Sequence, residues 1–302
     1  MKIVITGGAG FIGSNIAEVL SKDNEVIVLD NLSTGKRGNT KDLDIKFVEG
    51  SITDLELLQT VFKDVDYVLH QAAIPSVPRS IKDPIASNNA NINGTLNVLV
   101  AARDRSVKKV IYASSSSVYG DTPKLPKRED MTPNPLSPYA VAKLTGEYYC
   151  NVFNEVYGLK TVALRYFNVY GPKQDPYSDY AAVIPKFVSK ISGDEPPVIY
   201  GDGLQTRDFT FVNDVVAANI RAMRSDATGV FNIASGSRIT IKELAELVMK
   251  LMDKNLKVVL KEPRKGDVKH SLADISRAKA AFDYEPGYRL EKGLEETIRW
   301  FS

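Results

Sequence analysis

Tyr139-Ala140-Val141-Ala142-Lys143 places a phenol and an ammonium four residues apart. In a helix that spacing puts both side chains on one face. A neighbouring cation favours the phenolate. Bringing a tyrosine from a pKa of about 10 to about 7 takes roughly 4 kcal/mol of differential stabilisation, feasible in a partly desolvated site. Such a tyrosine is a general base at neutral pH. The same spacing also arises by chance on a solvated helix face. A second group, Ser114-Ser115-Ser116-Ser117-Val118-Tyr119-Gly120, follows the run Val110–Ala113, which reads as a strand. A hydroxyl at a strand's carboxyl end can hydrogen-bond a substrate oxygen while the tyrosine removes its proton; a serine-rich turn is the other reading. Ser115, Tyr139 and Lys143 together suit oxidation at a carbinol carbon.

Near the N-terminus, Thr6-Gly7-Gly8-Ala9-Gly10-Phe11-Ile12-Gly13 directly follows a strand and opens a helix. Gly7, Gly10 and Gly13 form GxxGxxG, a variant of the dinucleotide fingerprint, although glycine-rich turns are common. Small residues let the backbone turn tightly against a pyrophosphate, and the helix N-terminus offers free N–H groups and positive dipole. The next strand ends at Asp30, where a carboxylate accepts hydrogen bonds from the adenine ribose and repels a 2′-phosphate, so NAD is favoured over NADP. Arg37, seven residues further into a loop, is set aside as a phosphate clamp. The cationic ring of a bound nicotinamide would add a second charge favouring the phenolate of Tyr139.

The elements that must position these groups are legible as short β-branched runs. Ile3–Ile5, Val26–Leu29, Lys46–Val48, Tyr67–Leu69, Val110–Ala113 and Thr161–Leu164 read as buried parallel strands. Helical patterns lie between them. One is opened by the apparent capping box Thr53-Asp54-Leu55-Glu56, and a long one runs from Pro84 to Asp104. This alternation predicts an α/β chain: a doubly wound parallel Rossmann sheet with a smaller C-terminal substrate-binding α/β lid. The predicted NAD-binding domain covers 1–165, with elements near 209–232 returning to it, and 166–302 mainly binds substrate. Prolines and glycines crowd Pro172–Gly203, predicting large loops and short elements there. A second capping box, Thr240-Ile241-Lys242-Glu243, opens an amphipathic helix with Leu244, Leu247, Val248 and Leu251 on one face, and short helices follow near Ile275–Phe282 and Leu290–Trp300.

With 302 residues, 43% of them hydrophobic, the chain can bury a sizeable core. Its net charge of +2 is spread without runs, so neither nucleic acid nor an anionic membrane is an expected partner. The single cysteine, Cys150, precludes an intrachain disulfide and fits a cytoplasmic location, as does the lack of a signal-peptide or transmembrane run. His70 at a strand end, His270 in a loop and the absence of a Cys/His cluster predict no metal site.

TGGAGFIG, LDN, the serine run ending in VYG, YAVAK and LRYFNVYGP together resemble the extended short-chain dehydrogenases/reductases across essentially the whole chain. Within that family the chain looks most like the UDP-hexose 4-epimerases. HQAAIPSVPRS, YAAVIPK and GDVKHSLADIS are similar to segments of the group acting on UDP-N-acetylglucosamine. The resemblance implies that Ser115, Tyr139 and Lys143 are catalytic. It implies NAD contacts from Gly7, Gly10, Phe11, Ile12, Gly13, Asp30 and Asn31. Ser51 and Ile52 would lie at the adenine, with Gln71, Ala72, Ala73, Asn91 and Tyr166 along the channel. Many relatives carry an acidic residue where Ser51 stands. On the substrate side it implies a sugar-nucleotide contact from Asn168. Ala182, Val183, Val198 and Tyr200 would surround the uridine, Arg207 and Arg264 would grip the diphosphate, and Asp267 would accept from the uridine ribose. A homodimer is implied through the Pro84–Asp104 and Tyr139–Tyr157 helices.

The 4,6-dehydratases of the family carry an Asp-Glu pair where this chain has Ser116 and Ser117, so dehydration is disfavoured and Ser116 becomes a substrate neighbour. UDP-glucuronate decarboxylation remains an alternative, as does plain UDP-glucose 4-epimerisation. Epimerases restricted to plain hexoses carry tyrosine at the position of Ser271 and often lysine at that of Pro75. Small residues at Ser76 and Ser271 leave room for an N-acetyl group, which favours UDP-GlcNAc/UDP-GalNAc alongside UDP-Glc/UDP-Gal. A non-catalytic NAD sensor, or a dehydrogenase exchanging free NAD(H), are the rival readings.

Overall fold

A computed structural model describes residues 1–176, 182–263 and 268–301. The six β-branched runs become strands β1 (Lys2–Thr6), β2 (Glu25–Asp30), β3 (Lys46–Glu49), β4 (Tyr67–His70), β5 (Lys109–Ser115) and β6 (Lys160–Tyr166), joined by β7 (Gly229–Ile233). All pair in parallel, in the order β7-β6-β5-β4-β1-β2-β3. The order reverses between β1 and β4, and that reversal opens a crevice at the strands' carboxyl ends. β7 pairs with β6, and its residues overlap the end of the 209–232 stretch.

Strand alternation divides the core into two layers. Ile3, Ile5, Val26, Val28 and Ile111 pack with α1 (Phe11–Leu20) and α8 (Val212–Arg224). Val4, Ile27, Leu29, Val68 and Val110 face the opposite way, onto α2 (Leu55–Val61), α5 (Gly94–Asp104) and α6 (Pro138–Tyr157). The start of α6 is set by local chemistry: Ser137 accepts from the Ala140 N–H, Pro138 occupies the first turn, and Gly158 ends the helix in the left-handed conformation.

Two local expectations are corrected. The N-cap of α2 is Asp54, whose side chain accepts from the Leu57 N–H, while Thr53 bonds Ser51 instead. The carboxylate one residue on is the better acceptor for the helix's orphan donors. The long helix from Pro84 is α4 (Pro84–Asn88), a π-helical turn over Asn89–Asn93, then α5. Such bulges arise where side chains interrupt the regular ladder, and here the turn carries Asn91, buried beneath the crevice.

The capping box at Thr240 and Glu243 forms as read and opens α9 (Ile241–Leu251). With α7 (Val183–Ser192) and α11 (Leu290–Phe301), α9 builds a further apolar core holding Ile184, Phe187, Leu244, Val248 and Leu294. Among the described residues of the Pro/Gly-crowded stretch there are thus one regular helix, α7, and the short strand Val198–Tyr200. Among the described residues no helix is long and apolar enough to cross a membrane.

Candidate functional site

One cavity of about 780 Å³ runs along the carboxyl ends of β1, β2, β4 and β5. Its floor at one end is the glycine turn. Gly7 has φ +68°, and a Cβ there would lie 2.6 Å from Ala72; a Cβ on Gly13 would lie 2.3 Å from the Gly7 carbonyl. Both positions require glycine, and the resulting cradle brings the backbone flush with the cavity. Gly10 caps α1 without a side-chain bond, so the first-turn N–H groups face an incoming anion. Asp30 closes that end, accepting from the Ala9 N–H at 3.0 Å and the Leu32 N–H at 2.8 Å. A carboxylate has about four acceptor positions, so it retains capacity for ribose hydroxyls. Of the cations near that end, Lys36 lines the cavity paired with Asp175 at 3.2 Å, and the Arg37 guanidinium stacks 3.4 Å above the Phe47 ring. The residues present thus fit a dinucleotide with an unphosphorylated ribose.

Gly7, Gly10, Phe11, Ile12, Gly13, Asp30, Asn31, Ser51, Ile52, Gln71, Ala72, Ala73, Tyr166, Ser76, Tyr139 and Lys143 all line this cavity. Asn91 does not. Its amide accepts from the Ile74 N–H at 2.7 Å and donates to the Ile74 carbonyl at 3.0 Å, pinning the loop after β4. Arg79, Asn39, Lys173 and Gln174 also line the cavity. Arg79 belongs to the HQAAIPSVPRS segment, whereas Asn39, Lys173 and Gln174 come from segments outside the quoted motifs, and tertiary folding brings them here.

At the other end of the cavity α6 presents Tyr139 and Lys143. The Lys143 ammonium donates to the Ala113 carbonyl at 2.7 Å and lies 5.8 Å from the Tyr139 ring centroid and 5.0 Å from that of Tyr112. Burial pushes Lys143 down to about 8. Burial also pushes the Tyr139 phenol above its ordinary value, with a hydrogen bond to Ser115 pulling the other way. The protein by itself therefore keeps Tyr139 protonated, whereas the YxxxK spacing alone suggests a lowered pKa. Desolvation outweighs an ammonium directed at a backbone carbonyl. Ser115 caps the turn after β5, its Oγ accepting from the Ser117 N–H at 3.2 Å. Ser116 lies in that turn with Ser117, whose buried Oγ has no hydrogen-bond partner.

A buried chain of hydrogen bonds underlies both ends. Thr95 donates to the Asn91 carbonyl at 2.8 Å, so it accepts from His70 Nε2, and His70 Nδ1 accepts from Thr6 at 2.7 Å. The relay requires a neutral imidazole, and burial with the Lys143 charge pushes His70 down to about 3. A histidine that looked like an ordinary strand-end residue thus joins β1, β4 and the π-helical turn.

A smaller cavity of about 240 Å³ adjoins the first at Ala182 and is lined by Asn168, Val183, Val198, Tyr200 and Arg207. Asn168 donates to the Asp208 carbonyl at 2.8 Å and lies 3.5 Å from the Ser271 hydroxyl. Asn168 and Ser76 both have positive φ, +32° and +97°. Non-glycine residues in such conformations store roughly 1–3 kcal/mol of strain and cluster at functional sites. Arg264 and Asp267 lie outside the described residues. Among the described residues there is no cluster of metal-ligating side chains.

The model of the NAD dependent epimerase/dehydratase family matches residues 3–234. Among solved structures, a UDP-N-acetylglucosamine 4-epimerase from Methanobrevibacter ruminantium M1, in complex with UDP-N-acetylmuramic acid, is similar at TM-score 0.97 and 45% identity, covering 99% of this chain and 97% of that one. A UDP-glucose 4-epimerase from Thermotoga maritima, with UDP-glucose, is similar at TM-score 0.97 and 41% identity, covering 100% of this chain and 98% of that one. Among curated proteins, a putative UDP-glucose 4-epimerase of Methanocaldococcus jannaschii is 38% identical, covering 99% of this chain and 98% of its own.

The His70 relay has a pH consequence. The unfolded chain takes up a proton near pH 6.5 that the folded chain refuses until about pH 3. Stability from this group is complete above pH 6.5 and is lost as pH falls, at up to about 1.4 kcal/mol per pH unit. Urea unfolding of wild type and His70→Asn between these limits is expected to give a steeper acid loss in wild type. Parallel curves would refute the buried neutral state.

Proposed function

Because this chain belongs to the NAD dependent epimerase/dehydratase family, we propose that it inverts C4 of UDP-sugars, using a tightly bound NAD held at the glycine-turn end of the cavity. The observation that carries the reading is the convergence of Ser115, Tyr139 and Lys143 beside a cavity that fits a dinucleotide and adjoins a second, smaller one. NAD, when bound, supplies a two-electron acceptor and donor at the carbon bearing the 4-hydroxyl and is regenerated in each turnover.

The chain's own residues do the rest. Tyr139, which burial alone keeps protonated, would act as the phenolate once the charge of Lys143 is joined by that of a bound nicotinamide ring. It then takes the 4-hydroxyl proton and returns it when the ketone is reduced from the other face. Lys143, anchored on Ala113, favours the phenolate; Ser115 holds the sugar oxygen. Gly7, Gly13 and the α1 N-terminus would hold the cofactor pyrophosphate, Asp30 its ribose. Arg207, with Tyr200, Val198 and Val183, would anchor the UDP while the keto-sugar turns over. Ser116 and Ser117 supply neither an acid nor a carboxylate base, so elimination of water lacks its machinery.

The reading of the sugar rests on Ser76 and Ser271. Ser271 meets Asn168 at 3.5 Å, and a hydroxymethyl there leaves space at C2 for an N-acetyl group. We take UDP-GlcNAc/UDP-GalNAc as substrates, with UDP-Glc/UDP-Gal also accepted. The assembly is proposed to be a homodimer: Val141, Tyr148, Val152 and Val156 form an exposed stripe along α6, with Ile81 and Ile85 exposed on α3 (Val77–Lys82) and α4 packed beside it. A contiguous apolar surface of this kind marks an interface.

Purified protein given UDP-GlcNAc, UDP-Glc or UDP-glucuronate without added cofactor is expected to form the C4 epimer of the first two, read by NMR, with no net NADH. Absence of both epimers would sink the proposal. Tyr139→Phe should lower kcat by about 10²–10⁴-fold, the usual worth of a general base. Ser271→Tyr should abolish turnover of the N-acetylated pair while sparing the plain hexoses; equal loss of both would end the gatekeeper role. Val152→Lys should convert a dimer to a monomer in sedimentation, and a monomeric wild type would count against the interface.

A further inference from the structure

The inward face of α6 carries a third ionisable group. Glu147 lies one turn beyond Lys143 and two beyond Tyr139, about 6 and 12 Å along the axis. Its side chain is 3% exposed, and that of Arg165 on β6 is 4% exposed. Arg165 bonds it as a fork, Nε to Oε1 at 2.9 Å and Nη2 to Oε2 at 2.7 Å. Oε1 also accepts from the hydroxyl of Ser114, the residue before Ser115. The guanidinium stacks 4.6 Å from the Tyr119 ring centroid, the Tyr119 hydroxyl donates to Asn232 at 2.7 Å, and Arg165 Nη1 is buried without a hydrogen-bond partner. Neither Glu147 nor Arg165 lines the cavity.

A buried pair like this is often no more stable than well-packed apolar residues, so stability alone is a poor reason for its presence. Its position is more telling. With Tyr139 neutral, Lys143, Arg165 and Glu147 together sum to one positive charge, with Glu129 a further carboxylate facing Arg165. The charge left over is cancelled when Tyr139 ionises.

We propose that Glu147 and Arg165 are positioning residues for Tyr139: the fork holds the Ser114–Ser115 strand end in place, and because its opposed charges largely offset each other, the buried charge that the phenol meets is mainly that of Lys143. This rests on the reading of Tyr139 as the base. The ionisable groups facing the cluster are Tyr139, Lys143 and Cys150 from α6, Tyr112 from β5 and His70 from β4. Tyr119 and Glu129 face Arg165 from the loops after β5, and Glu129 accepts from the Asn232 N–H at 2.8 Å. Burial keeps His70, Cys150, Tyr112 and Tyr119 uncharged near neutral pH. The charge changes below therefore report on the pair.

The test is the acidic limb of kcat against pH in the holoenzyme. E147Q makes the surroundings of Tyr139 more positive and should move the limb down by about one pH unit, the effect of one charge at about 12 Å and an effective dielectric constant near 20. R165M should move it up by a similar amount. E147Q/R165M should return to within about half a unit of wild type, and E147D, which keeps the charge, should not move it. Shifts of one sign in both single variants, or no shift in either, overturn the proposal. If the single variants do not fold, the double variant and E147D decide: a limb displaced by more than about half a unit in either overturns it. Melting temperatures carry the same cycle independently of turnover. A double variant melting above either single one supports the pair, and additive losses count against it. A wild type inactive on all UDP-sugars fails the proposed reaction instead.

Discussion

An ammonium buried under a helix governs the construction of this protein. Lys143 is 3% exposed, and its charge is met by the Ala113 carbonyl at 2.7 Å. An isolated buried cation would lose its proton or open the structure to water. Here the surroundings are built to keep it, with a carbonyl at the end of β5, aromatic faces from Tyr112 and Tyr139, and the Glu147 carboxylate one turn away. Burial lowers its pKa to about 8, with the Glu147 carboxylate among the groups pulling the other way.

That requirement reaches outward through the fold. The Ala113 carbonyl is in place only because β5 is central in the sheet, paired with both β4 and β6. Helix α6 lies across it in a defined register because Ser137 and Pro138 start it and Gly158 stops it. On the other side, the neutral imidazole of His70 joins Thr6 at the glycine turn to Thr95 and Asn91 below the loop at Ile74. The glycine turn and the loop at Ile74 are thus connected by buried hydrogen bonds, each directional and each costly to leave unmade.

Much of this was legible before folding. All six β-branched runs are strands, and the GxxGxxG turn lies where a strand meets a helix. Tyr139 and Lys143 share one helix face, and the Thr240–Glu243 box caps its helix. These features depend on periodicity and on bonds between residues a few positions apart. The misreadings were of the same local kind, where two chemistries compete: Thr53 against Asp54 as cap, or a regular helix against a π-helical turn around Asn91.

What the sequence by itself determined is the inventory and the element order: a Rossmann sheet, a pyrophosphate turn, a tyrosine–lysine pair and the family they resemble. What only the tertiary structure decided is the electrostatic state of that pair. Spacing argues for a phenol acidified by its neighbour, yet burial against β5 sends the ammonium to a carbonyl and raises the phenol instead. Desolvation depends on everything packed around a group, most of it distant in sequence. The same holds for Glu147 and Arg165, eighteen residues apart with nothing in their spacing to pair them, which meet only because α6 folds back over β6.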